Sequence, residues 1–317
     1  MTRIKFSQGS GVYLLLLLMV LVTWIYSPSF FKLDNVFAIL RQASALGILT
    51  IGQALVIVGG GVDLSVEATM QMGIVVLTEA AAAGGNVGLM IGLILSLILG
   101  LVIGLINGLI ITRLKVQPFL VTLFTGTIIT GTRLAYTNAS PGGVIPEAVR
   151  YIGRDSSGPI PNAVIVFAVF AVIFHIVLKR GAFGRKLVAT GFNPNVARLS
   201  NVKINAVTAT SYCVSGLLAI IAGLVLAGYV GYADQWIGKG YTLDSLAAAI
   251  LGGNLLGGGR GSITGAIGGV LLMSLAINIV LLFNLEAPYQ YVTKGAILIL
   301  ATLLGSYAGK RFAQKTI

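Results

Sequence analysis

Along this chain apolar residues gather into long runs separated by short polar or basic segments. The runs, of which Val12 to Tyr26 and Val87 to Ile111 are the plainest, exceed what a water-soluble core needs. A helix of about 20 apolar residues crosses a hydrocarbon layer of ~30 Å and satisfies its own backbone there. The pattern predicts about ten spans, over residues 12–26, 44–59, 63–82, 88–111, 119–135, 162–178, 206–228, 242–256, 263–283 and 289–306. The expectation is an all-α integral membrane protein, a single transmembrane domain over residues 1–317 with no large soluble domain. The first run follows Arg3 and Lys5, as a signal peptide would. However, Trp24-Ile25-Tyr26-Ser27-Pro28 lacks a small-x-small cleavage site, so it reads as an uncleaved anchor.

One interruption carries chemistry. Gly59-Gly60-Gly61-Val62-Asp63-Leu64-Ser65-Val66 breaks an apolar stretch, and Asp63 and Glu67 are the only charges between Arg41 and Glu79. A carboxylate at membrane depth costs several kcal/mol unless it faces protein or water, so such a break points to a transport pathway. On a helix Asp63 and Glu67 share a face and would repel if both were ionised. Asp63 has two readings. It is either a fixed acceptor for N–H groups freed by Gly59, Gly60 and Gly61 near a helix start, or a contact for the moving solute. A second segment, Gly257-Gly258-Gly259-Arg260-Gly261-Ser262, follows another apolar run about 200 residues later. Five spans per half would make the chain two inverted repeats with glycine-broken helices.

Glycine supplies 42 of 317 residues, much of it at helical spacing. Gly88, Gly92, Ser96, Gly100, Gly104 and Gly108 form one small-residue ridge. Gly257, Gly261, Gly265 and Gly269 form another, and Ser215, Ala219, Gly223, Ala227 and Gly231 a third. In lipid, where apolar burial drives little helix association, such ridges supply close packing.

Composition agrees: 56% of residues are apolar, 9% are charged and the mean hydropathy is +0.97. A formal net charge of +12 would suggest nucleic acid in a soluble protein, but here the basic residues sit mainly between spans and record orientation. With a cytoplasmic N-terminus, seven of the 21 basic residues (Lys32, Arg41, Arg133, Arg150, Arg154, Lys239 and Lys294) fall outside and the rest inside, which places both termini in the cytoplasm. The single cysteine, Cys213, excludes an intrachain disulfide. His175 stands without a second metal-type ligand, and no nucleophile–base or metal-ligand set emerges, so neither an enzyme, a metal nor a cofactor is expected. No G-x-x-x-x-G-K-[ST] occurs, so any ATP hydrolysis belongs to another subunit. Residues 136–161 hold four of the eight prolines and suit an irregular external loop. Residues 179–205 carry six basic residues and no acidic one, punctuated by Gly181, Gly184, Gly191 and Pro194, in a cytoplasmic loop.

Four motifs in order resemble one family. They are Gly60-Gly61-Val62-Asp63-Leu64-Ser65-Val66; Asn107-Gly108 leading to Val116-Gln117-Pro118-Phe119-Leu120-Val121-Thr122-Leu123; Phe183-Gly184-Arg185 with Gly191-Phe192-Asn193 and Ala197-Arg198; and Leu251 to Ser262. Together, from about residue 45 onward, they look like the permeases of ribose/galactose-type ABC importers. That resemblance implies a bacterial inner-membrane permease taking up a monosaccharide. Its partners would be a cytoplasmic ABC ATPase subunit, an extracytoplasmic sugar-binding protein, a second permease copy or sister permease, and membrane lipid. The translocation pathway is then expected at Asp63, Ser65, Glu67, Asn107 and Asn254, and ATPase coupling at Phe183, Gly184, Arg185, Asn193 and Arg198 in the 179–205 loop. Arg150 and Arg154 offer positive charge to the binding protein from the outer loop. Glu67 departs from the pattern, since many relatives carry glycine after Asp-Leu-Ser-Val. An ion-coupled secondary transporter, or an ABC permease for another small polar solute such as an amino acid, remains the alternative.

Overall fold

The computed structural model describes residues 10–26, 28–140, 144–283, 286, 288–299 and 303. Helix α1 (Ser10–Tyr26) and a 3-10 turn (Pro28–Phe31) precede α2 (Leu33–Val58), α3 (Val66–Arg113), α4 (Pro118–Thr137) and α5 (Glu147–Gly153). Two-residue strands β1 (Ser156–Ser157) and β2 (Ile160–Pro161) pair antiparallel, and α6 (Asn162–Arg180), α7 (Ala182–Phe192) and α8 (Pro194–Leu199) come next. The last elements are α9 (Ile204–Val230), α10 (Tyr241–Leu251), α11 (Ile263–Leu282) and α12 (288–299). The remainder of the expected 289–306 span, residue 303 excepted, lies outside the described residues, as do Arg3, Lys5, Lys310, Arg311 and Lys315.

Six described helices, α2, α3, α4, α6, α9 and α11, are long and apolar enough to cross a membrane by length and composition. The protein is an all-α, multi-pass membrane protein. Helix α3, with 48 residues, is not one rod. Gly85, at φ 55° and ψ −131°, interrupts it, and a Cβ on Gly92 would touch Leu77 and Ala80. Residues 77 and 92 would stand about 22 Å apart on a straight helix. The chain therefore doubles back at Gly85 into two legs, 66–84 and 86–113, which match the two runs read at 63–82 and 88–111. The run at 242–256 needs correction: α10 ends after 11 residues, about 16 Å, because Gly252 and Gly253 stop it.

The ridges show how the legs pack. Gly88, Gly92, Ser96, Gly100, Gly104 and Gly108 are all buried. Gly92 lies on the first leg, while added Cβ atoms on Gly100, Gly104 and Gly108 would strike Gly216, Tyr212 with Cys213, and Ala209 of α9. Backbones can approach this closely only without side chains between them, which is where helix contact in lipid gains its dispersion energy. Ser215 of the third ridge meets Gly52 of α2, and Gly223 meets Met70 of the first leg. Gly265 and Gly269 pack on Gly252 and Ala248 of α10, but Gly257 and Gly261 precede α11, so that ridge is half helix and half turn.

Helix α2 is buried continuously from Ala43 to Val58 and forms the centre, wrapped by α6, α9, α10 and α11. Large apolar side chains of α1, the second α3 leg, α4 and α6 point outward. The 136–161 segment is less irregular than its prolines suggested. Pro146 opens α5 and Pro161 opens α6, and α5 is clamped to α9 where Gly153 meets Gly228.

Candidate functional site

Helix α2 ends in a Schellman motif. Gly60 sits in the left-handed region (φ 88°), Gly60 N donates to Ile57 O at 2.9 Å and Gly61 N donates to Val56 O at 3.0 Å. The glycine amides are thus satisfied by α2 itself and not by Asp63, which corrects the capping expected from sequence. Asp63 instead organises the turn that leads into α3. Its Oδ1 accepts from Ser65 N at 3.0 Å and Ser65 Oγ at 2.6 Å, and its Oδ2 accepts from Ser215 Oγ of α9 at 2.9 Å. Ser65 Oγ accepts in turn from Asn107 Nδ2 of the second α3 leg at 2.9 Å. Thr122 Oγ1 of α4 accepts from Leu64 N at 3.0 Å, and Tyr212 OH donates to Val62 O at 3.2 Å. Asp63 is 1% exposed. Ser215 lies eleven residues into α9, about 16 Å from its start, so the network is held well inside the apolar thickness.

The same device ends α10. Gly253 has φ 86°, Gly253 N donates to Ile250 O at 2.8 Å and Asn254 N donates to Ala249 O at 3.2 Å. Asn254 Oδ1 accepts from Ser262 N at 2.9 Å, as Asp63 does from Ser65 N, and each serine immediately precedes the next helix. The turn geometry of Gly59-Gly60-Gly61 thus recurs at Gly252-Gly253-Asn254, earlier than the Gly257 start suggested by sequence. Both breaks meet α7. Gly259 N donates to Val58 O at 2.8 Å, Gly258 lies against Gly60, and a Cβ on Gly191 would strike both Val58 O and Gly259 N.

Of the five expected pathway residues, Asp63, Ser65, Asn107 and Asn254 are buried in these protein contacts. Glu67 differs. It is half-buried, its Oε2 accepts from Gly240 N at 3.0 Å, and it lines a cavity of about 580 Å³ between the first α3 leg, α4 and the start of α10. Gln71, Thr127, Thr130, Trp236 and Thr242 line the same space. No cation is among the residues lining it. Sequence reading missed these partners, although Gln71 stands four residues after Glu67 on one helical face. It also missed Arg133 of α4, which is 1% exposed with Nε and Nη2 unbonded to protein, and within electrostatic reach of Glu67 and Asp234.

The named residues of the 179–205 segment divide by burial. Gly184 is buried where a Cβ would strike the Leu178 and Val177 carbonyls of α6, and Phe183 packs on the main core. Asn193 Oδ1 caps α8 by accepting from Asn195 N at 3.0 Å and Val196 N at 3.2 Å. Arg185 and Arg198 are exposed, with Arg185 Nη1 donating to Arg180 O at 2.7 Å. In the 136–161 segment Arg150 Nε donates to Ile145 O at 3.2 Å, while Arg154 is exposed.

A hairpin of glycine-packed helices, a half-length helix and two glycine breaks around a buried carboxylate define a membrane transport protein. Residues 35–302 match the family model described as the branched-chain amino acid transport system / permease component, and the chain belongs to that family. It is 36% identical to the ribose import permease protein RbsC of Bacillus subtilis (strain 168), over 94% of this chain and 92% of that one. It is 33% identical to the ribose import permease protein RbsC of Escherichia coli (strain K12), with 94% and 92% covered. It is also 33% identical to the galactose/methyl galactoside import permease protein MglC of the same strain, with 97% of each covered. No solved structure matches it. The chain is a permease component, not itself an enzyme.

Proposed function

We propose that this chain forms the translocation path of a binding-protein-dependent importer for a monosaccharide, driven by a separate cytoplasmic ATPase. The observation that carries this is the Glu67 cavity. One carboxylate, an amide, three threonine hydroxyls and the Trp236 ring suit a neutral, hydroxyl-rich solute, and the volume falls in the ordinary range for small-molecule sites. Its relatives named for ribose and galactose support the same choice. A second reading, import of an amino acid, is favoured by the family description and by the unbonded donors of Arg133, which would suit a carboxylate.

In this reading the ten-span count takes both α3 legs, α1 and α12 as spans, and the half-length α10 crosses together with the turn that follows it, with both termini in the cytoplasm of a bacterial inner membrane. Inverted five-span repeats would pair the break at 59–65 with residues 231–240, since these are the segments after the second and seventh spans. The Glu67–Gly240 hydrogen bond joins those two regions at the cavity. Exposed Arg185 and Arg198 face the ATPase, Arg154 and the half-buried Arg150 face the sugar-binding protein, and a second permease copy or sister permease completes the path.

The test is uptake into proteoliposomes holding the permease with its ATPase, supplied with its binding protein. ATP-dependent uptake of a labelled pentose or hexose is expected, unaffected by unlabelled leucine. Uptake driven by a proton or sodium gradient without ATP, or competition by leucine alone, would overturn it.

A further inference from the structure

Apart from the Glu67 cavity, a separate pocket of about 620 Å³ opens where the second α3 leg ends and α9 begins. Arg113, Arg198 and Lys203 stand around it, and none of the residues lining it is acidic. The nine acidic residues of the chain all lie outside the expected inner segments, so these cations have no counter-charge of their own on that face. The ion pair of Lys294 with Asp244 is elsewhere. The first turn of α9 has no side-chain cap, which leaves its positive end turned to the same space.

The pocket is not polar throughout. Leu109, Val202 and Ile204 line it too, and Leu109 ends an exposed stripe with Leu101 and Leu105, which are 40% and 43% exposed. Those residues recur every four along α3, so the stripe runs about 12 Å up the lipid-facing side of the leg. A cationic mouth continuous with an apolar track has the chemistry of a lipid with an anionic head group. A free anion would use only the mouth, and an acidic protein surface would leave the track uncovered.

We infer that this pocket binds an anionic phospholipid of the inner leaflet, its phosphate between Arg113 and Lys203 and an acyl chain along Leu109 and Leu105. Clustered basic side chains at the membrane surface each add to such attraction. The site is independent of which solute is carried.

The test compares the detergent-purified permease with its Arg113→Gln/Lys203→Gln double variant and with Leu109→Asn, by native mass spectrometry and thermal unfolding. Lipids are phosphatidylglycerol, cardiolipin and phosphatidylcholine, with inorganic phosphate as the free anion. The parent should retain and be stabilised by the anionic lipids and not by phosphatidylcholine. The double variant should bind them roughly tenfold or more weakly, and Leu109→Asn should weaken lipid without the charges being touched. Equal stabilisation by phosphate would overturn the lipid reading, as would double-variant binding equal to the parent. Unchanged lipid binding with lost ATPase association would reassign the cations to the ATPase surface.

Discussion

The amide of Gly259 donates to the carbonyl of Val58 at 2.8 Å, so two chain breaks about 200 residues apart are joined backbone to backbone. The end of α7 closes on that joint through Gly191. Helix α7 is thereby fixed to both broken helices at a point where no side chain fits.

Gly191→Ala is expected to cost about 1–3 kcal/mol, because its methyl group meets the Val58 carbonyl and the Gly259 amide, neither of which can turn aside. Gly257→Ala has open space around its new methyl and should stay within ~0.5 kcal/mol of the parent. Thermal unfolding in detergent separates them, and equal shifts would show that the joint is loosely packed.

Asp63→Asn keeps an acceptor for Ser65 N and Ser65 Oγ, and its amide can donate to Ser215 Oγ. A loss of about 1–3 kcal/mol is expected, with the solute preference of transport unchanged. Asp63→Leu should fold poorly, since the hydroxyls of Ser65 and Ser215 and the Ser65 amide lose their shared acceptor. A change in which solutes compete for uptake in Asp63→Asn would place Asp63 in the path after all.

Glu67→Gln should act the other way round. A glutamine oxygen can still take the Gly240 N–H, so unfolding temperature should barely move, while uptake falls about tenfold or more from the lost charge-assisted hydrogen bonds to solute hydroxyls. Parent-like uptake would remove Glu67 from the pathway.

Much of this was legible in the chain. The six long apolar helices fell on the apolar runs, and the Gly88 to Gly108 ridge emerged buried because four-residue spacing of small residues has one use in lipid. The place of Asp63 at a helix break was legible, but its partners were not, since Ser215 and Asn107 lie on helices far along the chain and spacing says nothing of which helix meets which. The short α10 was missed because hydropathy continues through Leu255 and Leu256 while the backbone stops at Gly252. The Glu67 cavity depends on a loop, 231–240, whose path no periodicity describes.

Lys294 of α12 and Asp244 of α10 form an ion pair at 2.5 Å, with the lysine side chain 20% and the aspartate 4% exposed. Lys294→Met leaves a buried carboxylate unpaired and should destabilise by about 3–5 kcal/mol. Adding Asp244→Leu should recover most of that loss, because two apolar side chains of similar size need no desolvation. A double variant as unstable as Lys294→Met would mean that the site requires the charges for packing of α12 itself.

Coupling is best probed at Arg185. Gly184 is unsuited, because any side chain there strikes the end of α6 and would unfold the loop before its contacts could be judged. Arg185 is exposed and makes one bond, to Arg180 O, worth about 1 kcal/mol at most on a wet surface. Arg185→Gln can remake that bond and Arg185→Glu cannot, so the pair separates capping from charge. If the ATPase reads the charge, both variants should stay folded while Arg185→Glu loses uptake and stimulation of ATP hydrolysis, and Arg185→Gln loses them in part. Full activity in Arg185→Glu, measured in vesicles with ATPase and binding protein present, would leave Arg185 with no part in coupling and shift attention to Arg198.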